Sequence, residues 1–340
     1  MRRAGSLLLL LALLGIGAIP LMLGGSAAVA FSLQLSASGY ASLAALVLAS
    51  AAFRAIKQGV LMRKLGVHSH RWRVLAISQA TEMAFLATPG GIGGYAAGVL
   101  YLRREGATFA AATAISAADQ ILDLVFFAVA MPLALVFLVD APEVGVLRSV
   151  AQVGAAVMVV GLFAVALTRK QLGRWLFVDA RAPGWLERMP RLRGRSVELR
   201  GFLRNLSIQL GELTAMSPGI FAALCACTAL QWLTRYGVLW LVMTLLGHPI
   251  PLALLFLLQG VVLHAAQWTG APAGAGGADV GLAAILAAFA PAEAIAAALL
   301  LWRFATLHLN LLAGLVCVLA LRDRGISAGP HLATAESSAD

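Results

Sequence analysis

The sequence predicts an all-α polytopic membrane protein: about six full transmembrane helices plus two re-entrant helical hairpins, arranged as an inverted repeat. Three observations carry that prediction. Hydrophobic residues fill 61% of the 340 positions and charged residues only 12%, about half the ~25% charge of a soluble domain. Several apolar runs reach the ~20 residues needed to cross the hydrocarbon. Two of those runs are interrupted by proline and clustered glycine, as "ATPGGIGGYAAG" at 87–98 and "APAGAGGADVG" at 271–281.

The first apolar run, 6–24, follows Arg2 and Arg3 and precedes Ala28-Val29-Ala30, which resembles a signal peptide with its cleavage site. Its length favours an uncleaved first helix. On either reading residue 31 begins outside the cytoplasm. Further apolar segments are expected at 41–62, at 72–88 with 94–104 after the first break, at 110–138 and at 146–168. After a basic stretch at 169–213 they resume at 218–246 and 250–270, then 278–289 beyond the second break, and 292–320. The chain therefore divides into an N-terminal helix with an outer loop (1–40), a first repeat (41–139), a connecting helix with a basic amphipathic segment (140–217), a second repeat (218–320) and a disordered cytoplasmic tail (321–340).

Net charge is +10, but the basic residues lie between apolar runs, which is how membrane orientation is written. Nucleic-acid binding is excluded on that ground. If each broken segment returns to its own side, 22 of the 25 Lys and Arg face the cytoplasm, among them a cluster from Arg54 to Arg73. Both termini are then cytoplasmic, in a bacterial-type inner membrane. The acidic loop at 140–145 falls outside. Cys225, Cys227 and Cys317 sit in apolar spans without the ligand count of a metal site. No cofactor is expected.

Sliding the chain by 183 residues superposes Pro89 on Pro272 and Gly91, Gly93, Gly94 and Gly98 on Gly274, Gly276, Gly277 and Gly281. Glycine-interrupted segments at matching places in two oppositely oriented halves mark an inverted repeat with its binding site between them; five identities among glycine and proline arising from composition alone are the alternative. Each break leads into a half-helix, Gly94 to Arg104 and Gly277 to Phe289. A helix N-terminus offers unpaired N–H groups and partial positive charge, and glycine lets a ligand approach them. On this reading Gly90, Gly91, Gly93, Gly94, Gly274, Gly276 and Gly277 cradle an anionic group, and a methyl at Gly93 obstructs the ligand more than the fold. Close helix packing by small residues is the alternative.

Six ionisable residues fall within spans or hairpins: Glu82, Asp119, Asp123, Arg235, Asp279 and Arg303. A charge at the centre of a membrane helix costs ~2.5–3.5 kcal/mol, so each needs a partner or a watery cavity. Asp119 and Asp123 share a helix face. Arg303 superposes on Gln120. Arg303 and Arg235 are expected to face a phosphate, with the acids neutralising them when no lipid is bound, and Arg303→Ala to abolish transport without harming the fold. Salt bridges that only fix packing are the alternative, and Asp279 also suits a helix first turn. His264 and His308 lie in spans, either as proton relays or as satisfied core residues, and Trp268 flanks the second break. Leu199, Phe202, Leu203, Leu206, Leu210 and Leu213 recur at helical spacing in the basic stretch, as expected of a helix lying on the cytoplasmic leaflet; a charged, solvated linker is the alternative.

The string Pro-Gly-Gly-x-Gly-Gly at 89–94, followed late in the chain by Pro272, Gly274, Gly276, Asp279 and an arginine at Arg303, resembles the lysylphosphatidylglycerol synthase transmembrane, or flippase-like, family over about 40–320. The resemblance implies a lipid-translocating module with two re-entrant segments, and site residues at Pro89, Gly90, Gly91, Gly93, Gly94, Pro272, Gly274, Gly276 and Arg303. Asp279 stands where that family usually has Glu. In the span after the first motif the family often shows Glu-Arg-x-x-Asp. Here Asp123 matches and Gln120 replaces the arginine. Larger members carry a soluble aminoacyl-transferring domain that these 340 residues do not accommodate.

The expected function is binding a phosphate-containing lipid and moving it across the membrane. No G-x-x-x-x-G-K-[ST] motif is present, so no ATP hydrolysis is expected. The expected partners are the lipid and a lipid-synthesising enzyme; the oligomeric state is open. Two other classes stand beside this one. One is a lipid-modifying membrane enzyme using Asp119, Asp123 and His264, and the other a non-catalytic partner of a synthase.

Overall fold

In the computed structural model the described residues are 28–137, 193–267 and 269–322, with isolated positions at 22, 25, 26 and 156. Almost all of the first apolar run, the loop at 140–145, the run at 146–168, residues 169–192, Trp268 and the tail lie outside them. Among the described residues every regular element is helical.

Helix α1 (Ala37–Lys64) opens on Ser36, whose hydroxyl accepts the Gly39 N–H at 3.2 Å. Helix α2 (Arg71–Ala87) ends at the first break, a 3-10 turn at Pro89–Gly91, and α3 (Ile92–Arg104) packs back along it. Thr108 caps α4 (Phe109–Val136) by accepting the Ala111 N–H at 3.1 Å. Helix α5 (Arg193–Thr214) precedes α6 (Pro218–Leu245), which has Ser217 as its cap and proline in its first turn. Serine and threonine accept orphan amides at helix starts, and proline there has no N–H to leave unsatisfied. Helix α7 (Leu252–Gln267) leads to the second 3-10 turn, Pro272–Gly274, then α8 (Gly277–Leu286) and the long α9 (Ala292–Arg322).

By length and composition α1, α4 and α9 can each cross a membrane, and α6 makes a fourth when taken with 201–213 of α5. The two other expected spans fall outside the described residues. Helix α9 carries a π-turn at Phe304–His308, which inserts a residue and rotates the following turns relative to the preceding ones. Nothing in the sequence announced it.

The packing exchanges in pairs. Helix α1 lies against α6, and the two glycine turns touch each other. Helix α2 packs on the C-terminal part of α9, as α7 packs on α4. The main apolar core runs between α4, α6, α7, α8 and α9, around Phe127, Tyr236, Phe256 and Leu299.

Two expectations need correcting. Arg54 and Lys57 are not part of a cytoplasmic cluster. At ~3.6 residues per turn they lie roughly two to three turns before the end of α1. Lys57 is 0% exposed and Arg54 pairs with Glu82. Removing both from the 22 leaves 20 of 25 basic residues on the expected cytoplasmic side. The second correction concerns α5. It begins at Arg193, and its stripe at Leu206, Leu210 and Leu213 packs into a core with Leu61, Leu102 and Ile115, while Phe202 meets Phe109 at 5.1 Å. Protein covers much of this face, rather than a lipid leaflet alone.

The open ends of the first hairpin are joined at Glu105. Its carboxylate accepts from Arg73 Nε at 3.0 Å and from Ser69 Oγ at 2.7 Å. Burial pushes this carboxyl's pKa up, but the hydrogen bonds from Arg73 and Ser69, with the Arg73 charge, outweigh it and hold it below its ordinary value. A depressed carboxyl stabilises the fold above its unfolded pKa and loses that stabilisation as pH falls through the folded one. Wild type is therefore expected to exceed Glu105→Gln in melting temperature at neutral pH. The gap should narrow below about pH 4.3, the ordinary glutamate value, which thermal melts across pH will read.

Candidate functional site

The site is built from the two breaks. Residues matched by the 183-residue shift share backbone conformation: Gly90 and Ala273 have φ of 58° and 52°, Gly91 and Gly274 of 73° and 64°. Left-handed backbone costs a residue with a Cβ roughly 1–2 kcal/mol. Gly90 and Gly91 avoid that cost. Ala273 bears it, and its carbonyl accepts Arg303 Nη1 at 3.2 Å.

Each half-helix start is tied down by a side chain. Thr88 Oγ1 donates to the Ala84 carbonyl at 2.7 Å and accepts the Gly93 N–H at 2.9 Å. In the second break Asp279 Oδ2 accepts the Gly276 N–H at 3.1 Å. The Gly93 reading therefore changes. Its amide already has a partner, and a Cβ there would lie 2.4 Å from Thr88 Cγ2. At Gly94 a Cβ would lie 2.1 Å from the Phe85 ring. Both positions are glycine because the hairpin packs tightly. Gly90 differs, with nothing within 4 Å of an added Cβ.

The buried charges form three groups. Glu82 accepts Arg235 Nη1 at 2.5 Å and also pairs with Arg54, so two guanidiniums share one carboxylate and one positive charge is left over. Lys57 Nζ lies 2.7 Å from Asp123 Oδ1 and 2.8 Å from Asp119 Oδ1, which leaves one negative charge over. Arg303 and Asp279 form a neutral pair, Nε to Oδ1 at 2.6 Å and Nη2 to Oδ2 at 3.0 Å. Pairing of this kind is what makes charge tolerable inside a membrane protein.

A cavity of about 190 Å³ lies between these groups, more than ten times the ~10–15 Å³ that one water needs. Of the expected site residues, Glu82, Gly90, Gly91, Asp123, Arg235, Gly274 and Arg303 line it. Gln120 lines it too, so the superposed pair Gln120 and Arg303 do face one space. Asp119 and Gly94 line a smaller adjoining cavity. Asp279 stands behind Arg303, fully buried. Pro89, Pro272, Gly93, Gly276 and Gly277 shape the breaks and are not on the cavity wall. Arg303 has three N–H contacts committed to Asp279 and Ala273. Arg303→Ala therefore strands a buried carboxylate and does not leave the fold intact, contrary to the expectation from sequence.

Sequence reasoning missed Arg54 and Lys57 as site residues, along with the wall residues Gln231 and Gln259. The available signal was a deficit of cations: Asp119 and Asp123, four apart on one face, required a basic partner from another span. Histidine roles are simpler. A carbonyl only accepts, so Nδ1 of His264 donates to Gly260 O at 2.6 Å and Nδ1 of His308 to Arg303 O at 3.2 Å. The cysteines are free and half-buried.

Residues 7–314 match the sequence model of the lysylphosphatidylglycerol synthase TM region. The chain belongs to this family. No curated protein matches it. Membership of the lysylphosphatidylglycerol synthase TM family makes the chain an integral membrane protein and links it to lipid metabolism or transport. Within the family match, Pro89 to Gly94 form the first turn and the start of α3. The late acid and arginine, Asp279 and Arg303, form the buried pair that holds the second turn.

Proposed function

We propose that this cavity binds the phosphate of a membrane lipid and that the chain passes the lipid between the leaflets of the cytoplasmic membrane. The observation carrying this reading is the surplus positive charge of Arg54, Glu82 and Arg235 on the wall of a cavity that both glycine turns line. A phosphate entering there competes with Glu82 for two guanidiniums and gains charge-assisted hydrogen bonds. The paired exchange of helix contacts supports an inverted repeat of 41–139 and 218–320. The hairpins then enter from opposite faces and meet near the midplane. Movement of one half against the other opens the cavity to each leaflet in turn, while the acyl chains stay in the bilayer.

The enzymatic reading is less supported, because Asp119 and Asp123 are engaged with Lys57 and His264 Nδ1 with a carbonyl. Liposomes carrying labelled phosphatidylglycerol in one leaflet separate the three classes. The expected result is redistribution of unaltered lipid. Chemical conversion would indicate an enzyme, and neither outcome a non-catalytic partner.

The glycines supply a second test. Gly94→Ala is expected to cost about 1–3 kcal/mol of stability through overpacking on Phe85, with lipid affinity kept by whatever folds. Gly90→Ala is expected to cost roughly 1–2 kcal/mol through its positive φ and, in addition, to weaken lipid binding, since its methyl enters the cavity. Melting temperatures with and without lipid distinguish the two patterns.

A further inference from the structure

Among the described residues, the ion pairs around the cavity and behind its second turn join four cations, Arg54, Lys57, Arg235 and Arg303, and four acids, Glu82, Asp119, Asp123 and Asp279. The set is neutral as a whole but divided. The Arg54–Glu82–Arg235 group is one charge positive and the Lys57–Asp119–Asp123 group one charge negative. They are neighbours, since Arg54 and Lys57 are three apart on α1 and Asp123 lines the same cavity as Arg54 and Arg235. A singly charged phosphodiester entering the cavity leaves the whole one unit negative in a poorly polarisable medium, where unbalanced charge is costly.

We infer that binding of an anionic lipid headgroup is accompanied by uptake of one proton onto the Asp119–Asp123 pair. This rests on the phosphate-site reading above. Phosphate takes the surplus cation of one group, and the proton removes the surplus anion of the other. Lys57 then faces one carboxylate and one carboxylic acid, and neutrality is restored. No other reactant is required. A zwitterionic headgroup brings its own cation and takes up no proton.

The groups facing the pair come from several helices. Lys57 and Arg54 approach from α1, Tyr95 from α3, and Trp232, Arg235 and Tyr236 from α6. Gln120 on α4 joins them, its Nε2 donating to Asp119 at 3.4 Å and its Oε1 accepting from Tyr95. Glu82 on α2, His264 on α7 and Arg303 on α9 share the cavity. Among these the two aspartates are the pair that lacks a full complement of cations.

The test uses the purified full chain in detergent, with lipid affinity read from lipid-dependent melting temperature between about pH 8 and pH 5. Phosphatidylglycerol has a net charge of minus one throughout this range and phosphatidylethanolamine a net charge of zero. Phosphatidylglycerol affinity is expected to rise as pH falls, with a slope approaching tenfold per unit, the signature of one linked proton. Phosphatidylethanolamine should show no slope. Asp123→Asn, with its surplus charge already removed, should bind phosphatidylglycerol without pH dependence, and Asp119→Asn should do the same. Phosphatidylglycerol binding without a slope in wild type overturns the inference and leaves the phosphate site standing. A slope retained in both variants also overturns it, placing the proton elsewhere. Absence of saturable phosphatidylglycerol binding at every pH overturns the phosphate site itself, and this inference with it.

Discussion

Lys57→Met is expected to lower the stability of the folded chain by about 3–5 kcal/mol, the usual cost of stranding a buried ionic partner. The lysine is fully buried and its ammonium is shared by Asp119 and Asp123 at 2.8 and 2.7 Å. Removing it leaves two carboxylates facing each other across one helical turn. A surface lysine would behave differently, since such substitutions usually fall within ~0.5 kcal/mol of wild type. Combining Lys57→Met with Asp119→Asn and Asp123→Asn should recover most of the loss, because no carboxylate is then stranded. Melting temperature in detergent reads all three proteins. A loss confined to the surface range would return Lys57 to the cytoplasmic cluster.

Arg235→Ala is expected to act on binding far more than on folding. Glu82 keeps Arg54 as its partner when Arg235 is removed, so the group becomes a neutral pair and no buried carboxylate is left alone. What disappears is the surplus positive charge. A hydrogen bond to a charged group contributes ~1.5–3 kcal/mol, which corresponds to a loss of roughly 10- to 100-fold in lipid affinity. Arg303→Ala is a poorer probe of the same idea, since Asp279 then lies buried without its partner.

The helices and both breaks were legible in the sequence because apolar runs, Ser or Thr caps and proline–glycine punctuation are local signals. The 183-residue repeat was informative beyond composition. It pairs Gly90 with Ala273 and Gly91 with Gly274, and those pairs share left-handed backbone. It also pairs Gln120 with Arg303, which share a cavity wall.

What was not legible depends on which way a side chain points. Arg54 and Lys57 lie near other basic residues in sequence, and only the packing of α1 against α2, α4 and α6 turns them inward. Composition also cannot separate a glycine that admits a ligand from one that admits a phenyl ring. Gly93 and Gly94 belong to Thr88 and Phe85, whereas Gly90 is open. Arg303 looked free to meet a ligand because its commitments, to Asp279 and to the Ala273 carbonyl, lie 24 and 30 residues away.

On the proposed function, the surplus guanidinium charge on this cavity holds a lipid phosphate. This is tested most directly by the phosphatidylglycerol-induced rise in melting temperature, compared between wild type and folded Arg235→Ala. A ligand that binds only the native state raises apparent stability in proportion to the logarithm of its concentration over Kd. A saturable rise is expected in wild type, displaced in Arg235→Ala to roughly 10- to 100-fold higher lipid concentration. An identical lipid-induced rise in the two proteins would contradict it.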